Sequence, residues 1–134
     1  MRPVIIFTDP LAGCDRALRV MDSLGIEVKD TTPLLAVLED LYKLERASTS
    51  LGLPIPPDTV PTAKEEITRR LNRSIRDVLG LERVNVKVVV GSLIDEAKVF
   101  IQENEPDIIV WGCNVSTELC RFINTVNIPS LLIK

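Results

Sequence analysis

The side chains that could do chemistry gather where short apolar runs end. Asp9 closes Val4–Thr8, and Glu39 with Asp40 closes Leu34–Leu38. Gly91 and Ser92 close Val84–Val90, and Gly112, Cys113 and Asn114 close Ile108–Trp111. The chain has no histidine. Ser-His-Asp and Cys-His catalysis are therefore excluded, because the imidazole that would activate the nucleophile is missing. Any chemistry must use carboxylates, lysines or a bound metal, and no residue is assigned a catalytic role. Glu39 and Asp40 read as solvated acids rather than a metal pair, with Lys43 and Arg46 the nearest cations in sequence. Cys14, Cys113 and Cys120 form an odd set without a Cys-x-x-Cys spacing, which argues against a zinc site and for reduced thiols. Cys113 is the better redox candidate, since a following helix amino terminus would favour its thiolate. Cys120 falls at helical spacing with Leu119, Phe122 and Ile123 and is expected to pack.

The elements that must position these residues alternate. Val4–Thr8 is β-rich, and Pro10 and Gly13 mark a loop before the helical pattern of Cys14–Leu24, which Gly25 stops. Leu34–Leu38 is continuously apolar, as in a strand buried on both faces. Thr62 and Glu65 have capping-box spacing, and Ala63, Ile67, Leu71, Ile75, Val78 and Leu79 keep a helical period until Gly80. Glu65 to Arg69 and Glu66 to Arg70 are favourable i,i+4 pairs, so the arginines of this helix read as a solvated, self-paired face. Ser92 can cap a helix over Leu93–Asn104, which Pro106 ends. A short helix over Ser116–Asn124 and a last strand over Leu131–Ile133, led by Pro129, complete the order. Five strands alternating with helices imply an α/β fold, a three-layer domain with a parallel sheet covered on both faces.

A chain of 134 residues with 46% hydrophobic content fits one domain, residues 1–134. A formal net charge of −3 argues against nucleic acid as a partner, since such binding depends on neutralising phosphates. No apolar stretch approaches the roughly 18 residues of a membrane span. The first apolar run meets Asp9 too soon for a signal-peptide core. A cytoplasmic protein without membrane association is the expectation.

The last third resembles the universal stress protein family. A strand ending in Gly91, an amphipathic helix, an aspartate-led strand from Asp107 to Gly112 and a Pro129-led final strand follow that family's order. The resemblance implies an adenine nucleotide alpha hydrolase-like sheet of order 3-2-1-4-5. It also implies nucleoside-side contacts from Asp9 and Val37, with Gly112 opening the phosphate element beside Cys113 and Asn114. The glycines that would complete that element are absent. Val115 stands at the second glycine, Thr125 and Val126 stand where Gly-Ser or Gly-Thr would follow, and the segment to Pro129 is about eight residues short of the family's usual length. No cofactor is therefore expected, with ATP as the candidate if one binds. The leading reading is a dimeric binding or regulatory module. The alternatives are an adenine-nucleotide binder with an atypical phosphate site, and a phosphorelay receiver. The receiver lacks an aspartate closing the third strand, where Gly91 and Ser92 stand.

Two further expectations concern surfaces. Tyr42–Pro61, with Pro54, Pro56, Pro57 and Pro61, reads as a long loop, with Tyr42–Ser48 able to form a helical turn or two before the Pro-rich part, that folds over the carboxyl ends of the strands and buries Leu51, Leu53 and Ile55. The last strand lies at a sheet edge in the family's order, so Leu131, Leu132 and Ile133 are expected to form a homodimer interface.

Overall fold

The computed structural model describes residues 2–8, 10, 14–84, 86–113 and 116–133, with the backbone alone at Cys113. The chain runs β1 (Pro3–Thr8), α1 (Asp15–Ser23), β2 (Leu34–Leu38), α2 (Glu39–Ser50), α3 (Thr59–Leu79), β3 (Val86–Val90), α4 (Leu93–Asn104), β4 (Ile108–Cys113), α5 (Thr117–Ile123) and β5 (Ser130–Ile133). The sheet is parallel throughout, in the order β3-β2-β1-β4-β5, as expected. Its alternating side chains divide the core in two. Ile5, Phe7, Leu34, Ala36 and Val110 pack under α1 and α3, whereas Val4, Ile6, Leu35, Val37 and Ile109 pack under α4 and α5. Because both faces are covered, β1 and β2 read as unbroken apolar runs rather than alternating ones.

Trp111 is completely buried in the second core, its ring edge-on to Phe122 at 6.0 Å. Its indole N–H finds no acceptor among the described residues. Gly112 sits inside β4 rather than at a turn. A Cβ there would stand 3.1 Å from the Cβ of Ala17, so glycine serves the close packing of α1 on β4. Gly80, by contrast, ends α3 with φ of 71°, a left-handed conformation that glycine adopts without a steric penalty.

The expected loop over Tyr42–Pro61 is a correction. Helix α2 starts directly after β2, α3 starts at Thr59, and only residues 51–58 connect them. Thr62 consequently lies inside the first turns of α3, its N–H donating to the Asp58 carbonyl, and does not form a capping box. Pro61 fits there because the first-turn N–H groups have no intrahelical acceptor to lose. Leu51 and Leu53 stay exposed instead of packing down, and Ile55 is half-buried. The helix-face pairing forms in part: Arg70 meets Glu66 at 3.0 Å, while no Glu65–Arg69 pair is present among the described residues.

Candidate functional site

Neighbouring strands of a parallel sheet end side by side, and here Leu38 is level with Val90. That register puts Glu39, the first residue of α2, beside Gly91 and the start of α4. The Glu39 carboxylate uses the position: Oε2 accepts the Leu93 N–H at 2.6 Å and Oε1 lies 3.3 Å from the Lys43 ammonium. Ser92, expected to cap α4, makes no side-chain cap bond. The amino terminus of α4, where backbone N–H groups and the helix dipole favour an anion, thus holds an anion from the chain itself.

The amino terminus of α5 is closed in a similar way. Ser116 Oγ accepts the Leu119 N–H at 3.1 Å, an N-cap bond that uses one of the amides available to a phosphate. Between the two helix ends lie two adjoining hollows of about 150 and 400 Å³, which share Glu39, Lys43 and Glu118. The smaller is floored by Thr8 and Val37, and the larger is walled by Tyr42, Arg46 and Asp95. Glu39, Asp40, Asp95 and Glu118 line them against Lys43 and Arg46, so acids outnumber bases. Arg46 leans on Tyr42, donating to its hydroxyl at 3.2 Å with the guanidinium 5.7 Å from the ring centre. A polyanion would meet net negative charge here, with a cation already committed to Glu39.

Of the residues expected at the site, Val37 reaches the inner hollow, although the side chain is fully buried in the core. Gly112 is not among the residues lining either hollow. Its carbonyl accepts the Thr8 hydroxyl at 2.8 Å, tying the ends of β1 and β4 together. Asp9, Asn114 and the Cys113 side chain lie outside the described residues. Cys14, at the N-cap of α1, is disulfide-bonded, which corrects the expectation of reduced thiols throughout. Cys120 is a free, exposed thiol rather than a packed one, because Leu119 takes the buried position of that helix. At the β5 edge, Leu131 is half-buried and Leu132 is exposed, while Ile133 belongs to the core. Among the described residues no His/Cys/Asp/Glu group could hold a metal, and no helix is long and apolar enough to cross a membrane.

Sequence reasoning missed the role of Glu39. The signal was available in the strand order, since β2 and β3 as neighbours place an acid after β2 next to the helix that follows β3.

No family model matches the chain. It is 33% identical over 135 residues to a protein of Aquifex aeolicus described as a universal stress protein, with full coverage of both. A crystal structure described as a hypothetical protein superimposes with a TM-score of 0.65 at 19% identity, covering 99% of this chain and 96% of that one, a likeness of fold alone.

Proposed function

The chain belongs to the universal stress protein family, and from that premise we propose that it works as a dimeric binding or regulatory module that does not hold ATP tightly. The observation that carries this reading is the carboxylate of Glu39 on the amino terminus of α4. With Ser116 on α5 and Asp40, Asp95 and Glu118 around the hollows, it supports a cleft that repels rather than collects phosphates. The missing glycines after Gly112 support the same conclusion from the sequence. Catalysis is not part of the proposal. A role in the stress response and a cytoplasmic location go with it and rest on the family.

The dimer is proposed through β5, the sheet edge beyond β4. Unpaired N–H and C=O groups along that edge, flanked by Leu131 and Leu132, would be satisfied by the same strand of a second copy about a two-fold axis. Sedimentation equilibrium at tens of micromolar, about tenfold above a micromolar dissociation constant, should give twice 14.9 kDa. A persistent 14.9 kDa species removes the dimer.

Adenine-nucleotide binding with an atypical phosphate site is the second reading, favoured by Lys43 and Arg46 lining the outer hollow. Native mass spectrometry of the purified protein separates the two. Protein masses without added nucleotide are expected, and a co-purifying adenine nucleotide at near-stoichiometric occupancy would overturn the first reading.

A further inference from the structure

We propose that the opposite end of the sheet, under the amino ends of β1 and β2, carries a separate binding site for a small organic acid: one carboxylate or phosphate group on a short apolar body. A hollow of about 580 Å³ opens there, larger than either hollow at the carboxyl ends and of ordinary ligand-pocket size. Two cations line it from separate segments, Arg2 before β1 and Lys29 in the link from α1 to β2. The Arg2 guanidinium donates to the Glu105 carbonyl at 3.0 Å, and among the described residues no carboxylate lies within ion-pair distance of it. The Lys29 ammonium has Glu27 at 3.8 Å, with both side chains largely exposed, a pair of little strength. Donor capacity is left over on both groups, and charge-assisted bonds to an acid are the strong use of it.

The placement of Lys29 comes from its backbone. Its N–H donates to the hydroxyl of buried Thr32 at 2.9 Å, and the Thr32 N–H donates back to the Lys29 carbonyl at 3.1 Å. Asn104, in the last turn of α4, uses one of its two amide N–H donors on the Phe100 carbonyl and keeps the second. Buried Val4 and half-buried Ile26 supply the apolar wall. An acid group between Arg2 and Lys29, with its body against Val4 and Ile26, matches this set, and Glu27 at the rim disfavours a polyphosphate. A strand's length of about 17–20 Å separates the hollow from the carboxyl-end cleft, so occupancy here is independent of the function proposed above.

The test is an amide NMR titration of the full chain with hexanoate, with phenyl phosphate and, as the uncharged control, with hexanamide. Saturable shifts at Lys29, Thr32 and Asn104 are expected with at least one acid and none with hexanamide, and the stronger of the two acids identifies the preferred group. Arg2→Gln and Lys29→Gln should each weaken binding about tenfold. Both side chains are on the surface, and should either variant fail to fold, the salt dependence of the unmodified chain replaces it, with affinity falling as salt rises. Absence of saturation up to about 10 mM, equal binding of hexanamide, unchanged affinity in both variants or an affinity indifferent to salt would each overturn the proposal.

Discussion

Helices α2 and α4 leave the same end of the sheet from neighbouring strands, and their apolar residues are spaced alike. Leu93, Ala97 and Phe100 of α4 are buried against β1 and β2. Leu41, Leu44, Ala47 and Leu51 also recur at helical intervals, yet α2 fully buries no residue; only Leu41 of these is half-buried against the first core, while Leu44 is 54% exposed and Leu51, its C-cap, 73%. The difference is one of available space. Two helices occupy the connection from β2 to β3, and α3 takes the place on the sheet with Ile67, Leu71 and Ile75. Periodicity therefore identifies a helix without saying whether its apolar stripe has a partner. What α2 contributes to the site is its first turn, where Glu39 bridges to α4.

Three substitutions would break or sharpen that contrast. Phe100→Ala should cost about 3–5 kcal/mol of unfolding free energy, since it empties a buried ring site in α4. Denaturant unfolding checks it, and a loss under about 1 kcal/mol would mean that α4 is held as loosely as α2. Glu39→Ala should cost about 1 kcal/mol, a capping bond to a partly exposed carboxylate, and lower the melting temperature by roughly 3–5 °C. Amide exchange should quicken at Leu93 at the same time; unchanged exchange would deny that Glu39 holds the α4 terminus. Leu44→Ala should change stability by less than about 0.5 kcal/mol. A loss of about 2 kcal/mol would instead show that Leu44 is covered, for example by a second copy.

The parts of the fold that were legible in the sequence share one cause, burial on both faces of the sheet. Leu34–Leu38 and Leu93–Asn104 have the bounds expected of them, because a fully apolar run and an amphipathic run between Ser92 and Pro106 leave little choice. The region from Tyr42 to Pro61 agrees with the structure only in the helical turns allowed over Tyr42–Ser48. Its prolines suggested a loop, but Pro61 lies in a first helical turn, and Pro54, Pro56 and Pro57 fall within residues 51–58. The proposed cleft lies at the carboxyl ends, where open parallel sheets place their sites. Its occupants were less legible, since a bond between Glu39 and Leu93, 54 residues apart, depends on strand order and not on local spacing.

Calorimetric titration of the unmodified protein with Mg-ATP tests the proposed function most directly. With the α4 terminus occupied by Glu39 and phosphate-binding glycines absent, the expected dissociation constant lies above about 1 mM. A value at or below about 10 µM would contradict it, since such affinity requires a phosphate site that Glu39 and its acidic neighbours do not block.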